Sequence, residues 1–507
     1  MKIILLNLMK KKYQNILKVI TVLLILFFGA NFYVSTKLKK FLLKKTIENK
    51  ITFTGNVSTN VLFGNVSVNN IVIKKDSLEV EVESVLLKDF SYYSYFKNKK
   101  ISADLVQLNT LELQGKLLKD IIDKSRKDSS KKNPTEIEIS TVEVNGLKVD
   151  VVDLKNNLLK IAKAELKITE LKYDASLKNA IPFLYKEMFV SVKNFERKTS
   201  VTQAFKIANL SFDKSKLTID SLEIIPLKSR ENYIYHVAYE TDLLSLFIKK
   251  INIPELKIDN KEKLFFEAKQ LFIDEGDFNV YLNGTVLEDA NERKDLYSKS
   301  LRELPFELKL DTVKINNSKI VYEELADVER KAGLISFHKI NATISNLLNV
   351  KVKDSFPTTK VIINSRFMNT SPLEIDWRFN VGSLNDAFQI KGKLGSVHSE
   401  KINSFIKPNL NVELEGEISK LFFNFYGNDS ESNGDFAIQY DGLKVKVLNE
   451  DRQIKKVVSW IASLIVKNSS KNGIEKVKIV KLERNKTRSF WNFLWENIKA
   501  SLKKTLL

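Results

Sequence analysis

One pattern constrains what this chain can fold into: apolar-x-apolar-x-x-apolar-x-apolar, which returns twelve times. It reads VSVNNIVI (Val66–Ile73), VEVESVLL (Val80–Leu87), ISADLVQL (Ile101–Leu108) and IEISTVEV (Ile137–Val144). It continues as LKITELKY (Leu166–Tyr173), FKIANLSF (Phe205–Phe212), LTIDSLEI (Leu217–Ile224) and LFIKKINI (Leu246–Ile253). FEAKQLFI (Phe266–Ile273), LKLDTVKI (Leu308–Ile315), ISFHKINA (Ile335–Ala342) and IQYDGLKV (Ile438–Val445) complete it. Alternation at period two is the mark of a strand with one buried face. The two-residue spacer would turn the second half to the other face. A β-bulge absorbs the extra residue and keeps both halves on one side; ending and restarting the strand is the alternative. Either way, many strands share one apolar face.

Little in the sequence is available to cover that face. The amphipathic helical candidates are Lys116–Lys127, Asp289–Leu304, Glu400–Ile406 and Ile454–Lys467. These are too few for the layered cover of an α/β fold. The expectation is therefore a mainly β chain whose sheet curls over its own apolar face, as a barrel, a sandwich or an open groove. Copy spacing is irregular, which argues against a strict solenoid. Asp123–Glu136 reads as an exposed excursion and Gly427–Asp435 as a turn between strands. The aromatic run FSYYSYF (Phe90–Phe96) either packs at a sheet end or contacts lipid.

The N-terminal run Ile16–Val34 is of a different kind. Its core, Val19–Ala30, carries no charge, and Lys18 and Asn31 stand at its ends, placed to snorkel or to reach headgroups. About 20 apolar residues cross a bilayer as a helix. No small-x-small cleavage site follows, so the run reads as an uncleaved anchor rather than a signal peptide. Residues 1–15 form a leader before it. Lys37–Lys50 reads as a short helix, in a juxtamembrane segment at 35–50, either at the membrane surface or as a plain linker. Lysines flank both sides, so charge alone does not orient the run.

The net charge of +20 suggests nucleic acid until it is located. Residues 1–50 hold 11 Lys against one Glu, and residues 451–507 hold 14 basic against four acidic residues. The body between them is neutral. A nucleic-acid groove carries its charge along the body, whereas charge at the ends suits anionic headgroups. No nucleic-acid partner is expected.

Chemistry-bearing motifs are missing. There are no cysteines, and His236, His338 and His398 are far apart. No zinc spacing, phosphate loop or nucleophile elbow occurs. No catalytic residue, metal or cofactor is expected, and the chain does not read as an enzyme. Ser489–Leu507 is an amphipathic helix, in a basic C-terminal region at 451–507. Phe490, Trp491, Leu494, Trp495 and Ile498 mark it either as membrane-interface or as a cap over the last strands.

Five stretches then resemble the AsmA-like family of Gram-negative envelope proteins. They are ITFTGNVSTNVLFGNVSVNNIVI behind the anchor, Val82–Leu113, Leu304–Glu324, Gly333–Asn349 and Ile402–Leu448. In the last, Pro408, Gly416, Gly427, Gly434 and Tyr440 fall at the family's positions. The resemblance implies one elongated β-groove domain over 51–450, anchored in the inner membrane with Met1 inside and the bulk in the periplasm. It implies phospholipids as partners, movement of phospholipid toward the outer membrane, and related architecture in bridge-like lipid transfer proteins. A non-conducting assembly factor that binds another envelope or outer-membrane protein through a sheet edge is the alternative. Exposed acyl chains cost about 0.8 kcal/mol per CH₂ in water, on the order of 20 kcal/mol or more for two chains of roughly fifteen carbons. A groove needs a continuous apolar lining to remove that cost. Its expected members are Ile137, Ile139, Val142, Val144, Leu217, Ile219, Leu308, Leu310, Val313 and Ile315.

Overall fold

The computed structural model describes residues 26–44, 52–116, 136–153, 155–173, 179–181, 183–448 and 473–506. All twelve copies of the pattern lie within strands. The chain is mainly β with few short helices. The strands belong to one 22-stranded sheet, and the chain divides into two compact units: residues 1–197 with 209–214, and residues 198–208 with 215–507.

The first unit opens with helix α1 over residues 26–44. It runs without a break through the point where a separate surface helix was expected at Lys37. Residues 16–25 of the apolar run and 45–50 of the juxtamembrane segment lie outside the described residues. Among the described residues, no helix is long and apolar enough to cross a membrane. Strands β1 (Thr52–Asn60), β2 (Asn65–Lys75), β3 (Leu78–Lys88) and β4 (Ile101–Lys116) follow as antiparallel neighbours. Helix α2 (Tyr92–Asn98) stands between β3 and β4. Next, β5 (Ile137–Val152) pairs parallel with β4, and β6 (Leu158–Tyr173) pairs antiparallel with β5. The short β7 (Phe183–Leu184) and then β8 (Glu187–Lys198) line the other side of β6.

The second unit holds β10 (Lys216–Pro226), β11 (Leu243–Ile253), β12 (Lys257–Asn260) and β13 (Leu264–Asn283); β9 (Gln203–Asp213) gives residues to both units. β14 (Glu307–Leu325) pairs parallel with β13, so the sheet, expected to be antiparallel, departs from that here as it does at β4 and β5, because the alternating pattern does not encode strand direction. An antiparallel series continues through β15 (Gly333–Leu348), β16 (Thr359–Phe367), β17 (Ser371–Phe379), β18 (Phe388–Leu394), β20 (Val412–Gly427), β21 (Glu431–Val447) and β22 (Glu475–Glu483). The two-residue β19 (Val397–His398) also pairs with β20. Helices α3 (Tyr297–Arg302), α4 (Ser399–Leu410) and α5 (Phe490–Leu506) complete the unit.

Five of the twelve spacers bend the strand at a left-handed residue, and at Lys339 and Gly442 the ladder register also shifts. Asn70, Glu170, Ser221, Lys339 and Gly442, each the second residue of a spacer, adopt left-handed backbone angles. A left-handed residue lets a strand bend within its ladder, and where the register shifts it takes in one extra residue. In the parallel pairs the bulges stand side by side. β4 and β5 keep a constant offset of 36, with Thr110 (φ 46°) beside Gly146 (φ 77°). β13 and β14 keep an offset of 42, with Glu275 (φ 53°) level with Asn317 (φ 46°). Each unit thus contains the same device: a parallel pair in which both strands bend at one level.

Helical expectations were met unevenly. Of Asp289–Leu304 only α3 is helical, whereas Glu400–Ile406 extends to α4 and carries Pro408 inside its last turn. Residues 117–127 and 454–467 lie outside the described residues. The expected turn at Gly427–Asp435 is shorter: β21 already begins at Glu431.

Candidate functional site

The two faces of β4, β5 and β6 differ sharply in chemistry. On one, polar side chains bond across the parallel pair at the same offset of 36. The Gln107 amide donates to Glu143 at 3.0 Å, Asn145 to Asn109 at 3.0 Å, and Lys148 pairs with Glu112 at 2.6 Å. Lys100 pairs with Glu138 at 2.7 Å, which raises the lysine pKa and holds the Glu138 carboxyl below its ordinary range, in each case mainly through that hydrogen bond. Gln107, Glu138 and Glu143 are x positions of the pattern, and the other partners flank its copies in sequence. They give the strands a solvated, self-satisfied exterior.

The apolar positions occupy the opposite face. Ile137 lies opposite Ile101, Ile139 opposite Ala103, Val142 opposite Val106 and Val144 opposite Leu108. Ile137, Ile139, Val142, Val144, Val106 and Leu108 are all only half-buried. Apolar side chains in the middle of a sheet are half-buried when neighbours in the sheet flank them and no second layer covers them. Farther along the same strands the face closes. Leu78, Val149 and Val151 form a small core with Leu113, Leu147, Leu159 and Ile161. Among the described residues, the first unit therefore offers an open apolar stretch beside a filled one.

In the second unit the predicted lining residues divide. Leu217, Ile219 and Ile315 are half-buried. Leu310 and Val313 are 6% and 3% exposed, and Leu308 packs against the C-terminal core. That core is rich in aromatic side chains, with Phe425, Ile438, Ile390 and Val381 fully buried. Leu310 and Val313 are thus enclosed side chains, and Leu308 is half-buried against the core.

Helix α5 lies over this core. Phe490 stacks on Trp377 with ring centroids 4.9 Å apart and meets Phe388 edge-on at 5.2 Å. Leu494, Ile498 and Leu502 pack on the same cluster, and Trp495 meets Phe405 at 6.2 Å. Of the five residues expected at a membrane interface or in a cap, Phe490, Leu494 and Ile498 are committed to the cap. Trp491 remains 48% exposed and donates its indole N–H to the Tyr297 hydroxyl at 2.9 Å. The physical reason is plain: an apolar helical stripe takes the first apolar surface within reach, and β16–β22 provide one.

A polar cluster near this cap has no motif to betray it. Arg488 pairs with Glu240 at 2.5 Å and with Glu288 at 2.7 Å. The Tyr322 hydroxyl donates to Glu324 at 3.0 Å. Burial pushes the carboxyls of Glu324 and Asp242 above their ordinary range and the Tyr322 phenol up as well. The members are spread over more than 240 positions of sequence, so only the fold brings them together. Among the described residues, no group of three or more His, Asp or Glu side chains is placed to hold a metal ion.

At the N-terminal end, Asn31 does not reach outward as expected. Its side-chain oxygen accepts from the Val61 N–H at 2.7 Å, and its carbonyl accepts from the Thr59 hydroxyl at 2.9 Å. Helix α1 is thereby fastened to the turn after β1. No protein-family model matches the chain, nor does any curated protein or solved structure.

Proposed function

We propose that this chain is a membrane-anchored lipid-transfer protein of a bacterial envelope, AsmA-like, single-pass in the inner membrane with its bulk in the periplasm. Its apolar sheet face shields phospholipid acyl chains while headgroups stay in water. The observation that carries this reading is the half-buried apolar face of β4 and β5, formed by Ile137, Ile139, Val142 and Val144. A soluble sheet gains about 25 cal/mol for each Å² of apolar surface it hides, so a long uncovered face is retained only where something else covers it. Acyl chains suit a face that is apolar throughout and lacks charged groups.

A second reading, an assembly factor that binds another envelope protein, draws support from the C-terminal core, whose large side chains pack on one another beneath α5. Lipid content separates the two. Mass spectrometry of the purified full chain should find phospholipid bound to the wild type and strongly reduced in Ile139→Asp. Glu143→Gln, on the polar face, should retain it. Absence of phospholipid from the wild type, or full retention in Ile139→Asp, would rule out the carrier reading. Val313→Asp is unsuitable, because its 3% exposure makes unfolding the expected effect.

A further inference from the structure

We infer that the turn Val61–Phe63 and helix α2 form a second membrane contact, seated in the headgroup layer and upper acyl region of an anionic bilayer beside the entry of the N-terminal run. Leu62 and Phe63 are 73% and 63% exposed at the turn; Tyr93 and Phe96 are 66% and 70% exposed on α2. Helix α2 buries none of its residues, although four of its seven are aromatic. So short a helix is marginal in water, and among the described residues its ring packing onto the rest of the chain is that of Tyr92 and Tyr95 against Phe90. The sequence left open whether FSYYSYF packs at a sheet end; the exposed rings of Tyr93 and Phe96 do not.

Three connections place the patch at the bilayer. Phe90 donates its N–H to the Gly64 carbonyl at 3.1 Å, which sets α2 beside the turn. Gly64 has φ 62°, and a Cβ there would lie 2.5 Å from the Phe90 carbonyl oxygen, so glycine keeps the two together. The turn in turn is bonded to Asn31, in the same helix as the end of the uncharged apolar run. The charge also fits: Lys97 lies over the Tyr93 ring at 4.9 Å and Lys99 over Tyr95 at 6.0 Å, with Lys37, Lys39 and Lys40 on α1. Tyrosine rings with lysines beside them are what the interfacial zone selects.

This inference rests on the anchored reading but not on lipid being carried. It predicts that the sheet begins at the lipid surface, its first strands held by contacts on both sides of the Asn31 joint. The absence of native cysteine allows a direct test. The full chain is reconstituted into vesicles of phosphatidylethanolamine and phosphatidylglycerol. It carries an environment-sensitive fluorophore on a single cysteine: Phe96→Cys, Phe63→Cys, or Lys163→Cys on the polar face as control. Labels at 96 and 63 should emit to the blue of the label at 163 and be quenched by lipid-borne spin labels. Replacing phosphatidylglycerol with phosphatidylcholine should weaken the quenching. Water-like emission without quenching at both 96 and 63 overturns the inference. Quenching at these sites in a chain that carries no phospholipid would overturn the carrier reading alone, and bound phospholipid with unquenched labels would overturn this one alone.

Discussion

The Arg484 side chain is fully buried, and its stability depends on one carboxylate. Asp429 pairs with Arg484 and with Arg293 at 2.6 Å and Lys486 at 2.9 Å. Burial pushes the Asp429 carboxyl up, but bonds from Lys486 and Arg293 and the nearby positive charges outweigh it and hold it below the ordinary carboxylate range. Removing one partner of a buried pair leaves an unpaired charge, so Asp429→Ala should cost about 3–5 kcal/mol. The pH dependence follows from the sign. A carboxyl with a depressed folded pKa contributes stability above its unfolded pKa and loses it as pH falls through the folded value. That loss should begin below about pH 4 in the wild type and be missing from Asp429→Asn. The tryptophans among the described residues, Trp377, Trp491 and Trp495, belong to the second unit, so denaturant titrations read by their fluorescence report on it. Gly416 offers a backbone test by the same method. It has φ 94°, and an added Cβ would fall on the Gly442 carbonyl oxygen. Gly416→Ala should lower stability by about 1–3 kcal/mol or more.

At the scale of elements, the cap formed by α5 is the most exposed to test. Phe490 is 3% exposed among Trp377, Phe388 and Tyr297. Phe490→Ala should cost about 3–5 kcal/mol and shift Trp377 emission to the red as water enters. Unchanged stability would mean that the helix does not hold the core closed in solution. The amphipathic stripe of α5 was legible in the sequence, but its destination was not. Phe, Trp and Lys side chains suit a core edge and a lipid interface equally, and only the presence of β16–β22 decides between them. The strands were legible because each of the twelve copies carries its own period, and the bulges because two x positions cannot sit on one straight face. Strand direction was not legible. Nothing in IEISTVEV or LKLDTVKI says that β5 and β14 run parallel to the strands before them, since alternation is the same read either way. Helix α2 was concealed for a different reason: its tyrosines and phenylalanine favour strands in general. The one local signal was Ser91, whose hydroxyl accepts from the Ser94 N–H at 3.2 Å and caps the helix.

At the scale of the whole molecule, the two units hold their apolar residues under different conditions, and this has a thermodynamic consequence. The second unit encloses a continuous aromatic and aliphatic core beneath α5. The first has a small closed core around Val149 and Val151, and leaves Ile137, Ile139, Val142 and Val144 half-buried. Its stability should then depend on whatever lies on that face. A ligand that binds only the folded form stabilises it by RT ln(1 + [L]/Kd), about 2.7 kcal/mol at a hundredfold excess over Kd. If phospholipid is the ligand, thermal unfolding of the full chain should show two transitions. Stripping lipid should lower the first and leave the second, reported by tryptophan, in place. Hydrogen exchange gives the assignment peptide by peptide: amides of β4, β5 and β6 should lose protection on delipidation and regain it when phospholipid is returned, while those of β20 and β21 stay protected throughout. Protection in β4–β6 that is indifferent to lipid would mean that the open face is stable bare, and would leave acyl chains with no thermodynamic claim on it.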